Sequence, residues 1–122
     1  MKTVFLDILI NNSEEKVQYN DIEGLINNNI LEFNNSSDYY KITLGPILNI
    51  HKENSESILD LNFILNKETN GIYFIKDMNY NMDAKVLTKE LLLNKDKISI
   101  NYELYLQEEF IGLFSFNIDI KE

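Results

Sequence analysis

Residues 98–120 read ISINYELYLQEEFIGLFSFNIDI, and their alternation sets the architecture. In the first half Ile98, Ile100, Tyr102, Leu104 and Leu106 share one face, and Ser99, Asn101, Glu103 and Tyr105 share the other. Successive side chains on a strand alternate faces, so this period of two predicts a strand buried on one side and wet on the other. After a polar turn at Gln107, Glu108 and Glu109 the alternation resumes. Phe114, Phe116, Ile118 and Ile120 then point inward, and Ser115, Asn117 and Asp119 outward. Two such runs joined by a short polar turn predict a β-hairpin. Gly112 stands early in the second run, where a residue without Cβ marks a bulge or a bend.

Working outward, Val4, Leu6, Ile8 and Ile10 alternate near the start, as do Leu59, Leu61, Phe63 and Leu65 around Asp60 and Asn62. Between them DIEGLI, NILEF, DYYKITL and PILNIH are strand-sized and are separated by NNN, NNSSD and Gly45-Pro46. Asn70-Gly71 predicts a hairpin turn before IYFI.

Two stretches also fit a helix. In SESILDLNFIL, residues 55–65, Ile58, Leu61 and Leu65 share a helical stripe that Ser55 or Ser57 could cap. In DAKVLTKELLLNK, residues 83–95, good helix formers place Ala84, Leu87 and Leu91 at helical spacing. Pattern alone leaves residues 83–93 open between strand and helix. The short strands on either side, and NKDK leading into ISINYELYL as the second arm of a hairpin, favour strand. The count is then about eight to ten antiparallel strands in one domain, residues 1–122. An antiparallel sheet of this kind covers its edges by curling into a barrel or a sandwich.

Composition agrees. A chain of 122 residues with 44% hydrophobic residues suffices for one packed core. Its formal net charge of −9 repels a phosphate backbone, which excludes nucleic acid as a partner, and it disfavours an anionic membrane surface. No apolar run approaches the roughly 20 residues of a spanning helix. MKTVFLDILI, interrupted by Asp7 and followed by no small-residue cleavage site, reads as a first strand, so the expected location is cytoplasmic. All basic residues are Lys, and Asn and Ile are abundant, the bias of an AT-rich genome. Without cysteine there are no disulfides, thiolate metal sites or thiol nucleophiles.

The C-terminal third, from KVLTKELLLNKDKISINYELYLQEEFIG to FNIDIKE, resembles the YwiB-like family of uncharacterised bacterial proteins. The similarity rests on Ile100, Tyr102, Glu103, Leu104, Tyr105 and Leu106, then Gly112, then Phe116, Ile118 and Ile120. The resemblance implies a small calycin-like barrel, similar in outline to lipocalins and streptavidin. It implies no catalytic or binding residue, because the family has no assigned function. The chain departs from the family where relatives tend to carry a Thr-Pro-Tyr-Gly-like turn, since NYNMD stands there, at residues 79–83.

Chemistry-bearing motifs are sparse. His51 is the only histidine, and with no second His or Cys it cannot anchor a transition-metal site. Glu14-Glu15 and Glu108-Glu109 lack calcium-loop spacing, and the isolated glycines form no phosphate loop. No catalytic residue, metal or cofactor is expected, and nothing points to an enzyme. Tyr39, Tyr40, Tyr73, Tyr80, Tyr102 and Tyr105 are either pocket residues or ordinary strand residues. Tyr102 stands out, because its face is otherwise aliphatic and its hydroxyl needs a buried partner or a cavity.

The first functional reading is a barrel that binds a small apolar ligand, with Tyr102, Phe114 and Phe116 as candidate lining, although so bulky an inward set leans toward a filled interior. The alternative is an interaction or scaffold module using an outer face or edge strand. Ile111 and Leu113 are its candidate contacts and a homodimer its candidate assembly. A membrane β-barrel would share the alternation, but the paired aromatic girdles are missing.

Overall fold

The structure, a computed structural model, describes residues 1–12 and 14–122. Ten strands follow one another: β1 (Lys2–Asn12), β2 (Lys16–Asn27), β3 (Ile30–Asn35), β4 (Asp38–Thr43), β5 (Leu48–Glu53), β6 (Ser57–Phe63), β7 (Glu68–Ile75), β8 (Tyr80–Leu93), β9 (Lys97–Leu106) and β10 (Glu109–Lys121). Each pairs antiparallel with its neighbours in sequence, and β1 pairs with β10, so the meander closes into a barrel. The seam runs from Phe5 opposite Lys121 to Asn12 opposite Phe114. Closure satisfies the backbone groups that an open sheet would leave at its edges. Among the described residues no helix is long and apolar enough to cross a membrane.

The alternation read from β9 and β10 puts its apolar residues inside. Ile10, Phe116, Ile100 and Leu91 stand opposite one another across four strands, forming one layer of the interior. Val4, Leu6, Ile42, Leu48, Ile98 and Ile118 are fully buried. Each such side chain contributes about 1.5–3 kcal/mol relative to exposure.

Asparagine closes many of the turns. The Oδ1 atoms of Asn12, Asn54 and Asn94 accept backbone N–H groups two or three residues on, at 2.8–2.9 Å. Asn28, Asn66 and Asn79 take positive φ (57°, 62° and 47°), which a short polar side chain tolerates. The genomic bias toward Asn is thus used structurally.

Two expectations are corrected, the Asn70-Gly71 turn and the inward Leu65, and the two stretches that also fit a helix are strand. Asn70-Gly71 is not a turn: both lie inside β7, opposite Lys85 and Ala84. The chain reverses instead at Ile64–Lys67, where Lys67 N donates to Ile64 O at 3.0 Å. Glycine is required at 71 because a Cβ there would collide with the Asp60 carbonyl on β6. Leu65 does not continue the inward face; it lies past the end of β6 and is 45% exposed. The helical alternative for residues 55–65 is replaced by β6. Residues 83–93 are strand, within β8, with a register shift between Thr88 and Glu90, and of the helical stripe Ala84, Leu87 and Leu91 the middle residue falls on the opposite face. Ala84, Val86 and Thr88 are buried, the bulge at Lys89 advances the phase, and Leu91 returns to the core.

Candidate functional site

The interior is not packed evenly. Toward the end that carries the β1–β2, β3–β4, β5–β6, β7–β8 and β9–β10 turns lies a cavity of about 140 Å³ lined by Ile10, Tyr40, Ile50, Lys52, Leu59, Leu61, Phe63, Tyr102, Phe114 and Phe116. The alternation of six strands places these residues: Ile10 on β1, Tyr40 on β4, Ile50 and Lys52 on β5, Leu59, Leu61 and Phe63 on β6, Tyr102 on β9, and Phe114 and Phe116 on β10.

Its five aromatic wall residues fall into two groups, one of them backed by Phe33 from outside the lining. Tyr40 stacks on Phe33 with ring centroids 4.7 Å apart and planes 13° from parallel, and it tilts against Phe116 at 6.1 Å. Tyr102 stacks on Phe114 at 5.6 Å and 16°, and meets Phe63 edge-on at 4.9 Å. Offset stacks and edge contacts of this kind add about 0.5–1.5 kcal/mol per pair beyond burial. Among the described residues neither tyrosine hydroxyl makes a hydrogen bond. Burial pushes both phenols well above their ordinary value, and Asp38 adds to the effect at Tyr40. Both therefore stay as neutral O–H donors.

The three residues singled out as lining, Tyr102, Phe114 and Phe116, thus meet at one cavity. Sequence reasoning left out Lys52, the one charged residue of its wall. The signal was present, because extending the alternation Leu48, Ile50 by one step puts Lys52 on the inward face. Of the other tyrosines, Tyr39, Tyr80 and Tyr105 are not part of this cavity. Tyr39 donates to Glu32 on the outer surface, Tyr80 accepts from Gln107 Nε2, and Tyr105 packs against Phe110.

The outer face of the last hairpin is apolar near its turn. Phe110, Ile111 and Leu113 are 52%, 46% and 57% exposed. The register shift between Phe110 and Gly112 makes Ile111 the extra residue of a bulge.

His51 belongs to a polar network on β5 and β6. Its Nδ1 lies 3.0 Å from Asp60 Oδ2 and its Nε2 3.4 Å from Glu53 Oε1. Lys76 Nζ donates to Glu53 Oε2 at 2.9 Å, and Asn49 Nδ2 to Asp60 Oδ1 at 2.7 Å. Lys76 first, then His51, holds the Glu53 carboxyl below the usual carboxylate range. Among the described residues no group of three or more His, Asp or Glu is placed to hold a metal ion.

A closed antiparallel barrel spanning almost the whole chain has a solved counterpart. The fold is similar to that of the ywiB protein from Bacillus subtilis. The likeness has a TM-score of 0.58 at 10% identity and covers 96% of this chain and 89% of that one. At that identity the ywiB likeness speaks for the fold alone. No protein-family model and no curated protein matches this sequence.

Proposed function

We propose that this chain is a calycin-like binding barrel that takes a small apolar group into the cavity between Tyr40 and Tyr102. The observation that carries the reading is the cavity itself, a space of about 140 Å³ walled by aromatic and aliphatic side chains in an otherwise packed interior. Binding sites are concave, mostly apolar and furnished with a few polar groups, and two neutral phenols and one ammonium fit that description. The volume matches a single ring, since a cavity of about 150 Å³ accepts benzene. A larger depression of about 540 Å³ along β2 and β3 is lined by Asp21, Glu23 and Glu32 among others. It lies on the outer face, where a ligand would keep one side in water.

The test is an NMR titration of the full chain with toluene or indole. Shifts concentrated at Ile50, Tyr102 and Phe116 support the reading, and uniform silence at saturation removes it. Leu59→Phe, which fills the space, should abolish the response while leaving the barrel folded. We read the protein as bacterial and cytoplasmic, which fractionation of host cells would check.

A second reading rests on the exposed Phe110, Ile111 and Leu113. This patch would pair with the same patch of a second copy, giving a homodimer. Light scattering on the native chain and on Leu113→Glu separates the readings: a dimer that becomes monomeric favours self-association, and a monomer throughout ends it.

A further inference from the structure

The cavity has one charged wall. Lys52 faces inward on β5, opposite Tyr40 on β4 and Leu59 on β6. Its ammonium lies 5.8 Å from the centroid of the Tyr40 ring. It is 3.8 Å from Asp38 Oδ2, beyond hydrogen-bonding distance. Asp38 is engaged elsewhere, accepting from Asn54 Nδ2 at 2.9 Å through Oδ1. Among the described residues the Lys52 ammonium makes no hydrogen bond, although it carries three donors.

Resting on the binding reading above, we propose that the ligand is a small carboxylate with a ring-sized apolar body. The body lies between Tyr102, Phe63 and Phe116, and the carboxylate sits on Lys52. Charge selects this class. A cationic ligand is disfavoured, because Lys52 already occupies the face of Tyr40 and would repel it. A neutral ligand leaves the ammonium with water and its loose ion pair to Asp38 at 3.8 Å, and adds no charge-assisted hydrogen bond. A carboxylate supplies a charge-assisted hydrogen bond in place of the loose approach to Asp38, and Asp38 keeps its bond to Asn54. The buried phenols of Tyr40 and Tyr102 stay uncharged and so present donors, not repelling charges, to an anion. The size limit comes from the volume of about 140 Å³, room for one ring with the carboxylate left at the rim.

Three probes of one shape test this on the full chain by calorimetry or NMR titration: phenylacetate, 2-phenylethanol and 2-phenylethylamine. Phenylacetate should bind about 10- to 100-fold tighter than 2-phenylethanol, the range a hydrogen bond to a charged group supplies. The amine should bind most weakly. Lys52→Met should erase the preference for the acid over the alcohol, and Lys52→Gln repeats the test should the Met variant fold poorly. Equal binding of acid and alcohol, or a preference that survives both substitutions, overturns the carboxylate assignment while the cavity stands as a site. Binding of none of the probes up to about 10 mM removes the cavity reading and the carboxylate assignment with it.

Discussion

Tyr102 stacks on Phe114 across the last hairpin, ring centroids 5.6 Å apart, so the one polar side chain on an aliphatic strand face is held by its ring and not by its hydroxyl. Tyr102→Phe should therefore change stability by less than about 0.5 kcal/mol in urea denaturation, since no protein hydrogen bond is lost. Tyr102→Ala removes the ring from Phe63 and Phe114 and should cost about 3–5 kcal/mol. A loss above about 1.5 kcal/mol in Tyr102→Phe would reveal a buried acceptor for the phenol.

Thr88 stands directly opposite Tyr102 on β8, fully buried, and among the described residues its Oγ1 has no hydrogen-bond partner. Burying a hydroxyl unpaired costs about 1–3 kcal/mol, and valine keeps the shape without that cost. Thr88→Val should raise stability by about 1 kcal/mol and Tm by about 3–6 °C. Destabilisation measured by calorimetry would mean that an ordered water satisfies Oγ1.

Gly71 and Gly45 make a matched pair. A Cβ at 71 would collide with the Asp60 carbonyl and come within 3.0 Å of Leu61 Cδ2, whereas one at 45 meets nothing nearer than Ile47 O at 3.9 Å. Gly71→Ala should cost about 2–4 kcal/mol through forced separation of β6 and β7. Gly45→Ala should stay within about 0.5 kcal/mol of the native chain. Similar denaturation midpoints for the two variants would contradict the close approach of β6 to β7.

Acid sensitivity follows from Asp7 and Glu53. The Asp21 backbone N–H, then Lys121, holds the Asp7 carboxyl below its ordinary value of 3.8; Lys76, then His51, does the same for Glu53 below 4.5. Such groups add stability that is present above the unfolded value and is lost as pH falls through the folded one. Stability should therefore decline as pH drops below 4.5, and Asp7→Asn should flatten the curve below 3.8. Tyr39 works in the opposite sense, its phenol pushed up to about 12 by donation to Glu32. Its contribution is complete below pH 10 and fades as pH rises through about 12, which ultraviolet titration of Tyr39→Phe against the native chain would show.

What could be read in advance depended on whether local pattern and tertiary demand agreed. Residues 98–120 were legible because both strands are regular apart from Gly112, and a glycine at a bulge announces itself. Residues 83–93 were not, because the bulge at Lys89 carries no glycine and shifts the phase silently. Asn70-Gly71 misled because the glycine serves a close contact with β6, a demand that only the folded sheet makes. Lys52 was legible in phase but was passed over because a lysine is ordinarily solvated. The cavity itself is a matter of volumes summed over six strands, which alternation along one strand does not encode.

The β1–β10 seam joins residues 5–12 to residues 114–121. These are the most distant pairings in the chain, and closing so long a loop carries the largest entropic penalty of any ladder in the barrel. Local hairpins can form early, but the ring cannot shut until nearly the whole meander is in place, so folding is slow for a domain of this size. Until that last zipper closes, β1 and β10 both present open edges to other chains. Handling this protein at low concentration during refolding keeps those edges from pairing between chains, whereas linking the termini and cutting at the turn between β2 and β3 would only move the closing seam to the β2–β3 ladder.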